Sequence, residues 1–216
     1  MSSPRGKFVA FEGLEGSGKT TQVHAVGKHF LERGKRVLMT REPGGTGLGD
    51  ELRAVLLRSR KESLSPMAEL LLMEAARAQH FEHVIKNALV EKELILCDRF
   101  TDATMAYQGG GRGIDPACIH QLNKYAAPGV RRDLVVFLDL PPKIAIERAL
   151  QRISRADGVP EDRFEREKME FHERVRNVYL NLAKKDEDLF FVVDATKNPA
   201  KITNQIIERI TTVLGS

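Results

Sequence analysis

Eight residues near the N-terminus, Gly13-Leu14-Glu15-Gly16-Ser17-Gly18-Lys19-Thr20, fit the pattern G-x-x-x-x-G-K-S/T at every fixed position. That spacing suits phosphate. Glycines let consecutive backbone N–H groups point inward at phosphate oxygens, and the N-terminus of a following helix adds its dipole. Lys19 brings a mobile positive charge to the β- and γ-phosphates and Thr20 offers a hydroxyl to Mg²⁺. Thr21, directly after them, is placed in the same phosphate-binding set. An apolar run before the motif and an amphipathic stretch after it distinguish a phosphate loop from a glycine-rich turn. The motif by itself leaves a GTPase, an ATP-driven motor and a small-molecule kinase open.

A second pair narrows the choice. The run Leu96-Cys97 ends in Asp98-Arg99-Phe100. The Asp98 carboxylate can hold a metal through water, and an arginine beside it can bind a second, acceptor phosphate. A remodelling ATPase would place paired acids there. A GTPase would carry Asn-Lys-x-Asp after a strand, whereas Asn123-Lys124-Tyr125-Ala126 lacks the acid and falls in a helical stretch. The pairing suits phosphoryl transfer between two nucleotides better than hydrolysis.

Positioning these groups requires a sheet. Nearly continuous apolar runs at Lys7–Glu12, Arg36–Arg41, Leu94–Cys97, Leu134–Leu140 and Leu189–Asp194 suit strands covered on both faces. Amphipathic stretches at about 18–33, 47–60, 66–91, 115–127, 141–153, 161–185 and 199–214 predict helices between them. Asp115-Pro116 reads as a cap followed by proline at the first helical position, and Gly34 as a helix stop. The alternation predicts an open, mainly parallel α/β sheet with right-handed crossovers and a ligand crevice outside the carboxyl ends of its strands. Those ends carry Glu12-Gly13, Arg41-Glu42-Pro43, Asp98-Arg99 and Asp139.

Composition sets the outer limits. A 42% hydrophobic content excludes wholesale disorder. A net charge of +4 over 216 residues is too small to argue for nucleic acid, and it points only to anion binding. Cys97 and Cys118 make neither a disulfide framework nor a structural zinc site, so the cytosol is the expected compartment. The first residues show no signal peptide, and no apolar run approaches the ~18 residues of a membrane span.

The chain resembles the bacterial thymidylate kinases. The matching stretches are FEGLEGSGKTTQ (11–22), TREPGGTGLGDELR (40–53), AARAQH (75–80), DRFTDATMAYQGGGRG (98–113) and DRFEREKMEFHERV (162–175), in the family's order. The resemblance implies a P-loop nucleoside monophosphate kinase fold: a five-stranded parallel sheet flanked by helices in one domain, with a lid. It implies the reaction ATP + dTMP → ADP + dTDP with Mg²⁺, held through Thr20 and Asp98, and a homodimer, for which the apolar stretch Met67–Ala88 is a plausible face.

Roles carry over residue by residue. Arg99 and Arg53 match arginines that bind the acceptor phosphate; the bland alternatives are an Asp98 ion pair and a solvated helix face. Glu42 and Pro43 belong to the acceptor turn, or to a purely structural loop. Arg77 matches the arginine that hydrogen-bonds a thymine carbonyl, against the alternative of a salt bridge such as one with Glu74. Thr104 and Gln108 meet the pyrimidine edge, and Tyr107 crowds the sugar 2′ position unless it is core. The acid at Glu15 reaches the acceptor 3′-hydroxyl and the metal's water shell; Glu12 supports loop geometry. The run Gly109–Gly113, which no strand leads into, reads as a pliant segment closing one side of the site. Met73 departs from the family, many of whose members stack a phenylalanine on the thymine there.

The segment 151–163, QRISRADGVPEDR, carries Arg152, Arg155 and Arg163 around the helix breakers Gly158 and Pro160. It resembles a kinase lid, which excludes water and brings guanidinium groups onto the transferring phosphoryl. In one branch of the family the catalytic arginine sits in the P-loop; here the variable positions, Leu14 to Ser17, contain none, so the resemblance implies that the lid supplies it, through Arg152 and Arg155. A solvated basic loop is the alternative.

Overall fold

The computed structural model describes residues 6–155 and 161–215. Each expected apolar run is a strand to within about one residue: β1 (Lys7–Glu12), β2 (Val37–Arg41), β3 (Leu94–Asp98), β4 (Leu134–Asp139) and β5 (Phe190–Asp194). They form one parallel sheet in the order β2-β3-β1-β4-β5. β1, β3 and β4 are buried almost throughout, as continuous apolar strands covered on both faces should be. The edge strands β2 and β5 are only partly covered.

The register fixes where chemistry can occur. Phe11 pairs with Asp98 and Asp98 with Arg41, so the ends of β1, β3 and β2 lie level at one edge. From β1 the chain crosses toward β2, and from β3 it crosses the other way to β4. A crevice opens where such connections diverge. The helix α1 (Lys19–Leu31) follows β1 through the phosphate loop and packs on α9 (Pro199–Leu214). α2 (Gly47–Leu57) is capped by Thr46, whose hydroxyl accepts from Gly49 N–H at 3.0 Å. α3 (Pro66–His80) starts on a Ser65 cap and runs on through a π-helical turn, Phe81–Ile85, into α4 (Lys86–Glu91). α6 (Pro116–Ala126) carries the expected Asp115 cap, and α7 (Pro142–Ile153) and α8 (Met169–Lys185) complete the layers.

Two expectations are corrected. The stretch 101–111 is helical: α5 (Thr101–Thr104) continues as a π-helical segment, Met105–Gly111. Its glycines serve close packing and not pliancy. A Cβ on Gly111 would stand 2.4 Å from Phe171 Cε2, and one on Gly110 2.5 Å from Val178 Cγ2, so the backbone lies directly on α8. The helix expected over 161–185 begins only at Met169. Residues 161–168 are drawn out by tertiary anchors: Arg163 N–H donates to Leu57 O at 3.3 Å, and Asp162 takes Ser59 Oγ at 2.7 Å and Arg166 Nε at 2.7 Å. The middle of the expected lid, residues 156–160 with Gly158 and Pro160, lies outside the described residues, as do the first five residues of the chain.

Candidate active site

The phosphate loop holds its shape through close approaches. Gly13 and Gly16 have φ of 140° and 76°; a Cβ would fall 2.6 Å from Leu138 O at the first and 2.2 Å from Ala145 O at the second. Only glycine fits there. Lys19 Nζ reaches back to Leu14 O at 2.7 Å and Gly13 O at 3.1 Å. Burial and then the nearby Arg99 push its ammonium down to about 8. Thr20 Oγ1 donates to Asp98 Oδ2 at 2.5 Å, which sets a hydroxyl and a carboxylate side by side at the loop's mouth.

Arg99 sits just past the end of β3 with φ of 71°, a left-handed conformation rare outside glycine and costing of order 1–3 kcal/mol. The surroundings enforce it: its N–H donates to Phe11 O at 2.9 Å, and Cys97 Sγ donates to its carbonyl at 3.0 Å. The twist aims the guanidinium at the loop, where Nη1 donates to Gly13 O at 3.0 Å and Nη2 to Glu15 Oε1 at 2.5 Å. Tyr107 Oη donates to the other Glu15 oxygen at 2.5 Å, and its ring lies 4.8 Å under the guanidinium. Burial would raise the Glu15 carboxyl, but the charges of Arg99 and Lys19 and the Tyr107 bond outweigh it and hold Glu15 below its ordinary value. Glu12 braces this arrangement from below, accepting from Phe100 N–H at 2.8 Å and Tyr179 Oη at 2.7 Å.

The crevice deepens between α2, α3 and the π-helical segment. Glu15, Lys19, Thr20, Asp98, Arg99 and Arg152 line its phosphate end. Glu42, Pro43, Arg53, Met73, Arg77, Thr104, Tyr107 and Gln108 line the rest. Arg77 is buried and donates to five acceptors. Nε donates to Glu42 Oε2 at 2.8 Å, Nη1 to Glu74 Oε1 at 2.5 Å, Asn123 Oδ1 at 2.7 Å and Thr104 Oγ1 at 3.0 Å, and Nη2 to Phe100 O at 3.1 Å. The ion pair with Glu74, which sequence offered as the bland alternative, is therefore present alongside a place in the pocket wall. Behind it, His80 Nδ1 shares a 2.9 Å hydrogen bond with Glu42 and Nε2 a 2.7 Å bond with Thr40 Oγ1.

Arg53 and Arg152 line the pocket as expected, each beside an acidic residue. Arg53 pairs with Glu161, Nη2 to Oε2 at 2.8 Å, and donates to Pro43 O at 3.2 Å. Arg152 is mostly exposed over the pocket, 3.7 Å from Glu165 Oε1. Arg155 is exposed and is not part of the pocket lining. Arg163 is no lid arginine: it turns away to Glu69 Oε2 at 2.5 Å and to Leu56 O, flat on Phe164. The loop residues Gly13, Leu14, Gly16, Ser17 and Gly18, with Thr21, flank the pocket without lining it.

Glu161, near the end of the expected lid segment, and Phe164 and Glu165 just beyond it line the pocket although the sequence reading singles out none of them; Arg41, expected at a strand end on the crevice, lines it as well. Burial and then Glu15 push the Glu165 carboxyl up to about 7. An acid and an aromatic between Arg163 and Arg166 were the available signal.

A thymidylate kinase family model matches residues 11–206. The chain belongs to the thymidylate kinase family. The thymidylate kinase of Geotalea uraniireducens is 46% identical over 209 residues, covering 95% of this chain and 98% of that protein. That of Trichlorobacter lovleyi is 47% identical over 203 residues, 94% and 96% of the two chains. The crystal structure of thymidylate kinase from Ehrlichia chaffeensis superposes with a TM-score of 0.75 at 33% identity, over 96% of this chain and 99% of that one. The P-loop, the Asp98-Arg99 strand end and the α3 wall all fall within the part matched by the family model.

Proposed function

We propose that the two ends of the crevice hold the donor and the acceptor of one phosphoryl transfer. The reaction is the phosphorylation of dTMP to dTDP by ATP. An oxygen of the dTMP phosphate attacks the γ-phosphorus, the β–γ bridging P–O bond breaks, and ADP leaves. This transfer needs little acid–base chemistry; positioning and charge neutralisation carry it. The observation that supports this reading best is a single crevice joining a phosphate loop to a second, arginine-bearing pocket.

Gly13–Thr21 cradles the ATP phosphates, with Lys19 leaving its loop carbonyls for the β- and γ-oxygens. Arg99 and Arg53 take the acceptor phosphate, and Arg152 and Arg155 come from the lid to the group in flight. Glu15 receives the 3′-hydroxyl, Tyr107 walls the sugar, and Met73 covers the thymine face. Glu42 and Pro43 shape the acceptor turn. Arg77 has a second Nη2 proton for a thymine carbonyl, and Thr104 and Gln108 complete the base edge.

Mg²⁺ fits the residues present. The Thr20 hydroxyl and Asp98 carboxylate are hard oxygen donors 2.5 Å apart. Mg²⁺ keeps several waters and takes phosphate oxygens, so one carboxylate suffices. Among the described residues no cluster of three or more His, Cys, Asp or Glu stands ready for a metal, which suits an ion brought in with nucleotide. When bound, the ion draws negative charge from the phosphate oxygens.

The chain reads as one kinase domain acting in the cytoplasm without nucleic acid. Among the described residues no helix is long and apolar enough to cross a membrane. A homodimer formed through α2 and α3 would cover Leu48, Val55, Met67 and Leu71, all exposed. A coupled assay with ATP and dTMP, dUMP, UMP, dCMP, AMP or GMP tests the reaction. Highest turnover with a purine or cytosine nucleotide would refute it. Light scattering tests the dimer.

A further inference from the structure

We propose that Glu69 is a positioning residue that decides which end of the Gln108 amide faces the acceptor base, and thereby makes the site select a pyrimidine protonated at N3. The inference rests on the reading of this pocket as the dTMP site.

Glu69 lies in the first turn of α3 and is fully buried, outside the pocket wall. Its Oε1 accepts from Gln108 Nε2 at 2.8 Å and from Arg112 Nε at 3.2 Å. Its Oε2 accepts from Arg112 Nε at 3.2 Å and from Arg163 Nη1 at 2.5 Å, with Arg112 Nη2 completing the ion pair at 3.1 Å. An ionised carboxylate can only accept, and two arginines keep this one ionised. Burial works to raise it, but the Arg163 charge and the bonds from Arg112 and Gln108 win and hold it below its ordinary value.

A glutamine amide has a donor end and an acceptor end of nearly equal shape, so its orientation follows its partners. Facing Glu69, Gln108 must present its NH₂. The carbonyl oxygen is then turned the other way. Among the described residues no donor meets that oxygen, and Gln108 lines the crevice. On the same wall Arg77 has its second Nη2 proton. The base therefore meets a donor beside an acceptor. Thymine and uracil carry the complement, an O4 acceptor beside an N3–H donor. Cytosine carries the reverse, an N4 donor beside a bare N3 acceptor. Bound in the same pose, it would set like groups against each other in a buried wall, the mismatch that sites reject most strongly.

Glu69→Gln reverses the Gln108 half of this pattern at nearly constant shape and leaves the Arg77 donor in place. Arg112 and Arg163 keep the one remaining oxygen, so the new NH₂ faces Gln108. Two NH₂ groups cannot pair, and Gln108 turns over to present its own NH₂ to the base. The ratio of kcat/KM for dTMP to that for dCMP should fall at least tenfold, through a higher KM for dTMP and a gain for dCMP, with KM for ATP unchanged. Glu69→Asp provides the control if Glu69→Gln does not fold. It keeps the charge for two long arginines but withdraws it from Gln108, and the ratio should again fall at least tenfold without the gain for dCMP. Thermal melts establish folding first. A folded variant that loses rate equally toward both nucleotides, with the ratio intact, would reduce Glu69 to a structural ion and overturn the proposal. If the unmodified protein fails to prefer dTMP over dCMP, the reading of the pocket itself falls, before any variant is made.

Discussion

Tyr107→Phe separates two jobs that one side chain performs. The hydroxyl donates to Glu15 at 2.5 Å and takes Arg99 Nη2 at 3.2 Å, while the ring stands edge-on to Phe164 at a centroid distance of 5.3 Å. Burial keeps the phenol protonated, so it is a donor at every working pH. A hydrogen bond to a charged group contributes about 1.5–3 kcal/mol. At about 1.4 kcal/mol per tenfold in rate, the whole bond would be worth roughly 10- to 150-fold. Arg99 Nη2 still holds the other Glu15 oxygen at 2.5 Å, so the loss belongs at the lower end, about 10- to 30-fold in kcat. The ring remains, so the preference for dTMP over ribothymidine monophosphate should stay within about threefold of the unmodified enzyme, whereas Tyr107→Ala should abolish it. Steady-state kinetics with both nucleotides at saturating ATP reads both effects. A Phe variant with kcat within about twofold of the original would show that the hydroxyl does not hold Glu15 for catalysis. A Phe variant that accepts the ribonucleotide would show that the ring is not the wall.

Met73→Ala should weaken dTMP binding about tenfold or less, the range of a sulfur–aromatic contact plus lost cover, and leave ATP binding unchanged; calorimetric titration of each nucleotide checks it, and unchanged dTMP affinity removes Met73 from the base site. Gly111→Ala would ordinarily gain up to about 1 kcal/mol inside a helix, but the new Cβ meets Phe171 at 2.4 Å and overpacking costs about 1–3 kcal/mol, so Tm should fall. A rise in Tm would contradict the close approach to α8. Glu165 is raised from 4.5 to about 7, so the folded chain holds a proton that the unfolded chain has lost between those values. Its contribution to stability is full below pH 4.5 and is lost as pH rises through 7; Glu12, raised likewise, adds the same sign. Denaturant melts without nucleotide should show this fall, and Glu165→Gln should flatten it; an unflattened slope would assign the proton elsewhere.

The sheet could be read from the sequence because buried parallel strands leave continuous apolar runs that little else produces. The phosphate loop was equally plain, since its glycines answer backbone needs that no side chain can meet. The errors arose where periodicity competes with distant anchors. Residues 161–168 continue an amphipathic pattern, yet the bonds of Arg163 to the end of α2 override it. Gly109–Gly111 looks like a helix breaker in isolation, and it takes α8 against Gly110 and Gly111 to make it a packing surface. Glu69 escapes a sequence reading because a glutamate on a helix ordinarily points to solvent. Its position four and eight residues before Met73 and Arg77 puts it on their face, a signal that spacing contained.

The face that α3 turns inward has a consequence for how this enzyme can diverge. On the function proposed above, Glu69, Met73 and Arg77 would read or support the base from one helix, while Lys19 at the start of α1 and Asp98 and Arg99 at the end of β3 would act on phosphate. Arg99 is confined by a backbone twist, and Gly13 and Gly16 of the loop by contacts that admit no Cβ. The helical face carries no such backbone restriction. Acceptor choice is therefore open to gradual change by exchanging side chains along one stripe, with the transfer machinery inherited intact. A search for altered acceptors should randomise positions 69, 73 and 77 together with 108, and leave the strand ends untouched.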